Sequence, residues 1–295
     1  MNIVVCVKPV PDNSVISLDP NTGWINTDDM VYIVNPYDMV AVEEAVRIRE
    51  KDDLTKITLI SVASPATKRV LHRCLASGAD EAILLWDSSF DNLNKYDSAV
   101  ILAKVISTLQ YDLILCGRKA IDTEDGHVGS TIAEILGIPI VSAVVEIDIL
   151  PDHKKVNVES KLEKGNRERV EVTLPALLTV DVDLNEPRYA SLPSLVAGLR
   201  KNVREYKLEE LEFSSWDVGS EGAKTKTIAL APSKPRPKKM FTPDSQLSAE
   251  QRMQLIISGG VKQKQGDLLK GNPKDIASNV VRYFRDNKLL STGKY

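Results

Sequence analysis

Over the first 180 residues, apolar and polar positions come in blocks. Near-continuous apolar runs occupy 2–7, 56–62, 81–86, 112–116 and 176–180. Runs this short with no polar alternation read as strands covered on both faces. Between them apolar residues recur three and four apart. Met39, Val42, Ala45 and Val46 predict a helix after Asn35, and Pro65 opens another that runs to about Ala76 and stops at Gly78. Val100, Ile101, Val105 and Leu109 mark a third from Tyr96, and Ile132–Leu136 begins a fourth. Strict alternation of strand and helix predicts an α/β fold, a Rossmann-like doubly wound, mostly parallel sheet.

Three stretches break the pattern. Residues 14–26 alternate weakly around Asp19-Pro-Asn-Thr-Gly23, which predicts a hairpin standing off the main sheet. Residues 141–149 and 153–174 alternate apolar with charged around Lys164-Gly165-Asn166, which predicts an antiparallel hairpin of two strands added to the sheet edge. From about 201 the pattern lapses. Pro232, Pro235, Pro237 and Pro243 punctuate a segment with two helical pieces, near 248–257 and 273–288, separated by Gly259, Gly260 and Gly266. The expected organisation is an α/β domain over 1–200, ending in a loop at 184–194, followed by an extended C-terminal arm over 201–295.

In a doubly wound sheet, ligands sit outside the carboxyl ends of the strands where the strand order reverses. Gly117–Thr131, GRKAIDTEDGHVGST, follows such a strand and opens a helix with Gly, Ser and Thr. Unpaired N–H groups and the helix dipole make that a place for phosphate. The loop is neither GxxxxGK[ST] nor GxGxxG. Asp122, Glu124 and Asp125 can be read as an acid–base or metal cluster, or as loop-shaping residues that lie near an adenosine. Asn35-Pro-Tyr-Asp38 reads as a second helix start, with Asn35 as cap, Pro36 in the first position and Asp38 in the first turn. It is either a well-capped helix and nothing more, or a second wall of the same nucleotide site.

Composition narrows the classes. A net charge of -3 argues against nucleic acid or an anionic membrane as main partner, in spite of the basic run Lys234, Arg236, Lys238 and Lys239. No apolar stretch reaches the ~20 residues of a membrane span. The first residues read as a core strand and carry no targeting pattern. Cys6, Cys74 and Cys116 form no CxxC pair, and His72, His127 and His153 do not cluster with them, so neither a metal site nor a disulfide framework is expected. A reduced, cytoplasmic protein is the expectation. Leu184-Asn-Glu-Pro-Arg-Tyr-Ala-Ser-Leu-Pro193 reads as a loop in which Leu192 either packs on its own domain or stands out as an anchor for another protein.

Taken together, these motifs resemble the beta (small) subunit of electron-transfer flavoproteins. Asn35–Arg47 is similar to the family's NP-aromatic…A-x-EEA-x-R segment, Gly117–Asp122 with Val128-Gly129 to its G-[KR]-Q-A-I-D…G loop, and Leu184–Pro193 to its recognition loop LNEPRYATLP. The resemblance covers about residues 1–200. It implies a non-catalytic electron carrier, a heterodimer with an alpha subunit against which the C-terminal arm packs, and an FAD shared with that subunit. It also implies a pocket for AMP in ordinary members, or for a second FAD in flavin-bifurcating members that use NADH. Carried onto this chain, the pocket comprises Cys6, Asn35, Pro36, Tyr37, Asp38, Ala63, Lys119, Ala120, Ile121, Asp122, Thr123, Glu124, Asp125, Gly126, His127, Val128, Gly129 and Ser130. Arg188, Tyr189 and Leu192 would recognise acyl-CoA dehydrogenases or similar flavin dehydrogenases, which links the chain to fatty acid beta-oxidation. Lys119 departs from the family's Gln, Arg118 and Tyr37-Asp38 lean toward bifurcating members, and LNEPRYASLP leans toward the dehydrogenase-serving kind. The segment at about 240–275 has no evident counterpart. An adenine-nucleotide-hydrolysing enzyme of similar fold is the alternative from another class.

Overall fold

The computed structural model describes residues 1–27, 30–87, 90, 93–207, 210, 228–229, 231–232, 243–257 and 271–286. The chain forms β1 (Asn2–Cys6), β2 (Pro9–Pro11), β3 (Tyr32–Val34), α1 (Pro36–Lys51), β4 (Lys56–Val62), α2 (Lys68–Ser77), β5 (Glu81–Leu85) and α3 (Lys95–Ser107). It continues through β6 (Leu113–Gly117), α4 (Val128–Leu136), β7 (Ile140–Ile149), β8 (Lys155–Lys161), β9 (Arg167–Thr173), β10 (Ala176–Val180), α5 (Leu192–Arg200) and β11 (Val203–Tyr206).

The main sheet has the order β11-β5-β4-β1-β6-β10-β7-β8-β9, parallel from β11 to β7 and antiparallel beyond. Its central strands are apolar on both faces because both are covered. α1 and α2 close one face over Ile3, Val5, Leu59, Leu113 and Leu178. α3 and α4 close the other over Val4, Ile60, Ile83, Ile114 and Leu177. The Rossmann-like α/β architecture read from the sequence is the one observed.

Several details differ from the sequence reading. Three strands, not two, make the antiparallel edge: β7 joins the sheet parallel to β10, and β8 and β9 fold back from it. The 14–26 excursion, in the connection between the paired β2 and β3, carries among the described residues a single isolated bridge, Leu18 to Ile25. β11 lies just past the expected boundary at 200 and adds a parallel strand beside β5.

The chain divides into two compact units, 1–233 and 234–295. In the second, α6 (Ala249–Ile257) and α7 (Pro273–Asp286) stand close to the predicted helical pieces. Pro235, Pro237, the basic run at 234–239 and the glycines at 259, 260 and 266 lie outside the described residues.

Candidate functional site: the crevice between β1 and β6

From β1 the chain goes on to β4 on one side, and from β6 through α4 to β7 on the other, so the strand order reverses between β1 and β6. In sheets of this kind the ligand crevice lies at the carboxyl ends there. Asp38, in the first turn of α1, bridges the two strand ends. Its carboxylate accepts from the Lys8 N–H just past β1 (2.7 Å) and from the Gly117 N–H at the end of β6 (3.1 Å). Burial pushes Asp38 up to about 7, against these two donors and the Asn35 amide, which favour its charged form. Gly117 is required by this approach: a Cβ there would run into Asp38 Oδ1 and lie 2.7 Å from Tyr37 Cβ.

Asn35 occupies the cap position of α1, yet its side chain makes no cap hydrogen bond. It reaches instead into the loop after β6. Its amide nitrogen donates to the Lys119 carbonyl and to Asp38 Oδ1, both at 3.0 Å, and its oxygen accepts from the Ile121 N–H at 3.2 Å. The residue is fully buried. A capping signature in sequence is therefore a loop tie in the fold.

The acids of the loop are each matched by a lysine. Asp122 pairs with Lys8 at 2.6 Å, Glu124 with Lys119 at 2.9 Å, and Asp125 with Lys95 of α3 at 2.6 Å. Among the described residues no group of three His, Cys, Asp or Glu is placed to hold a metal ion. The loop turns through left-handed backbone at Glu124 (φ 54) and Gly126 (φ 61). It enters α4 at His127, and no side chain caps that helix. Gly129 lets the first turn of α4 lie close on β10, since a Cβ there would sit 2.7 Å from Thr179 Cγ2. Open N–H groups at this end, with lysines nearby, suit an anionic group such as a phosphate. Past the carboxyl ends of β1 and β4 a cavity of ≈ 240 Å³ is lined by Lys8, Pro9, Tyr32, Val62, Ala63, Ser64, Ala66 and Thr67.

The structure thus places Cys6, Asn35–Asp38, Ala63 and Lys119–Ser130 at one end of the sheet, all at strand ends or in the segments that follow them. Cys6 and Cys116 lie at or next to the ends of the adjacent strands β1 and β6, and all three cysteines are buried free thiols. A hydrogen bond to Cys6, together with burial, pushes the Cys116 thiol well above its ordinary value, and burial pushes Cys74 up to about 12. Neither Cys74 nor Cys116 has the thiolate character of a nucleophile. The sequence reading omitted Lys8, whose N–H and ammonium both face the crevice, because nothing local marks it.

Arg188, Tyr189 and Leu192 lie apart from the crevice-forming residues. Tyr189 is 95% exposed and Leu192 74%. Arg188 turns back onto α1, where its guanidinium holds Glu43 at 2.8 Å and pairs with Glu50. Those two carboxylates hold the guanidinium well above its usual range.

A family profile described as the electron transfer flavoprotein domain matches residues 22–211. The chain belongs to the electron transfer flavoprotein family. It is 41% identical over 271 residues to the electron transfer flavoprotein subunit beta of Thermoanaerobacterium thermosaccharolyticum, covering 92% of this chain and 97% of that one. To the subunit beta of Bacillus subtilis it is 33% identical, with 97% of this chain and 98% of the relative covered. A caffeyl-CoA reductase–Etf complex subunit of Acetobacterium woodii is 35% identical over 77% of this chain and 86% of its own.

An electron transfer flavoprotein beta subunit serves electron transport as one chain of a heterodimeric flavoprotein. The Bacillus subtilis match spans nearly the whole of both chains, so the segment at 240–275 does have a counterpart in a relative. Among the described residues no helix is long and apolar enough to cross a membrane.

Proposed function

We propose that this beta subunit holds one AMP in the β1–β6 crevice and, with its alpha partner, holds the FAD that receives electrons from acyl-CoA-type dehydrogenases. The observation that carries the reading is the knot of Asn35, Asp38 and Gly117. It fixes the 117–131 loop so that the uncapped start of α4 faces the same end of the sheet as the cavity beside β4. The α4 amides with Ser130 would hold the phosphate, and Pro9, Val62 and Ala63 would wall the purine. Bound FAD supplies the redox centre, while AMP supplies none, so the role of this pocket is structural. The pairing of Asp122, Glu124 and Asp125 with lysines suits loop-shaping roles for these acids and weighs against nucleotide hydrolysis. The C-terminal unit would pack on the alpha subunit. Three unpaired thiols suit a reducing cytoplasm.

A second reading puts a second FAD in the pocket, as in a bifurcating carrier. Arg118 favours it: half exposed beside Gly117, its guanidinium is held at 2.8 Å by the buried Asp181. The heterodimer, co-expressed and denatured, should release one FAD and one AMP by chromatography of the nucleotides. Two FAD and no AMP would establish the second reading, and a heterodimer with no adenine nucleotide in this pocket would overturn both.

A further inference from the structure

The docking segment is held in place before any partner arrives, and its holder is a carboxylate in the middle of α1. Glu43 lies between buried apolar residues, with its side chain only 3% exposed. Burying a carboxylate there is unfavourable unless it is paired and hydrogen-bonded. Arg188 does both. Its Nε donates to Glu43 Oε1 and Oε2 at 3.0 and 2.9 Å, its Nη2 to Oε1 at 2.8 Å, and its backbone N–H to Oε2 at 3.1 Å. Next to it, Asn185 donates to Glu44 Oε2 at 2.9 Å and to the Val40 carbonyl at 3.1 Å. The far end is fixed as well. Gly198 of α5 sits against α2 so closely that a Cβ would lie 2.8 Å from Ala76, and its carbonyl meets His72 Nδ1 at 3.1 Å. Between these two clamps, Tyr189 and Leu192 project into solvent.

We propose that Glu43 is a positioning residue for partner docking. It fixes the backbone of 185–191 through Arg188, so that Leu192 is presented in one arrangement and less ordering entropy is lost when the dehydrogenase binds. This inference rests on the reading of Leu192 as the docking anchor. A helix whose first turn organises the nucleotide crevice would then also organise the docking loop.

The test uses the purified heterodimer as electron acceptor for an acyl-CoA dehydrogenase, with amide hydrogen exchange measured in parallel. Glu43→Gln keeps the shape and removes the charge. It should speed exchange across 185–191 about tenfold and raise KM for the heterodimer about fivefold, with kcat and flavin content held. Arg188→Lys, which loses the bidentate fork, should do the same and serves if Glu43→Gln fails to assemble. Leu192→Ala should raise KM without altering exchange, and Glu43→Gln added to it should raise KM no further. Leu192→Ala with unchanged KM would remove the docking reading, and this inference with it. A raised KM in Leu192→Ala beside an unmoved KM in Glu43→Gln and Arg188→Lys would overturn the positioning role alone. So would a Glu43→Gln effect that persists undiminished in the Leu192→Ala background.

Discussion

Two helices of this protein start with nearly the same four residues: Asn35-Pro-Tyr-Asp38 at α1 and Asn94-Lys-Tyr-Asp97 at α3. At α3 the asparagine caps in the ordinary way, its side-chain oxygen accepting from the Asp97 N–H at 2.9 Å. At α1 it does not cap at all, and its side chain is given over to the Lys119 carbonyl and the Ile121 N–H. The two acids are both buried, but Asp38 crosses to two strand ends. The difference lies in what stands opposite each helix start. α1 begins beside the β1–β6 reversal, where two strand ends and a long loop present unpaired backbone groups. A polar side chain there satisfies groups far away in sequence instead of its own helix.

This contrast can be broken at its narrowest point. Gly117→Ala drives a methyl into Asp38 Oδ1 and Tyr37, so the loss should exceed the roughly 1–3 kcal/mol of ordinary overpacking. Urea denaturation should show it, and the adenine nucleotide should be lost with it. Next, Asn35→Ala strands the part-buried Lys119 carbonyl and Ile121 N–H and should cost about 1–3 kcal/mol. Asn94→Ala removes a cap and should cost about 1 kcal/mol. Equal losses for the two variants would show that the asparagines do equivalent work. A further test is in pH. Asp38 has its folded value raised to about 7, so its contribution to stability is full below about pH 4 and is lost as pH rises through about 7. The stability difference between wild type and Asp38→Asn should therefore shift against wild type over that window, at up to about 1.4 kcal/mol per pH unit. A difference that is flat from pH 4 to 8 would mean the burial of this carboxyl is relieved.

Legibility in the sequence followed covering. β1, β4, β5, β6 and β10 were readable because strands buried on both faces must be apolar throughout, and the crevice was readable because its segments follow those strands. β11 was not readable: of Val203-Arg-Glu-Tyr206 only Val203 is buried, as an edge strand allows. β2 was hidden by Pro9 and Pro11, which count against a strand and are tolerated here because, among the described residues, it pairs with β3 alone. The diverted role of Asn35 was not readable either, since a cap and a tie are the same residue in the same local setting. Glu43 and Arg188 lie 145 residues apart. The one local hint was a pair of adjacent glutamates inside an otherwise apolar helix face.

The position of β10 has a consequence for the order in which the molecule can be made. β10 lies between β6 and β7, although β7 precedes it in the chain. As the polypeptide leaves the ribosome, β5, β4, β1 and β6 can assemble first, and β7 through β9 can form only a detached meander. Until Ala176–Val180 is synthesised, the Leu113-Ile-Leu115 flank of β6 stays unpaired, an apolar edge open to strands of other chains. The last core strand to be made is the one that seals the sheet.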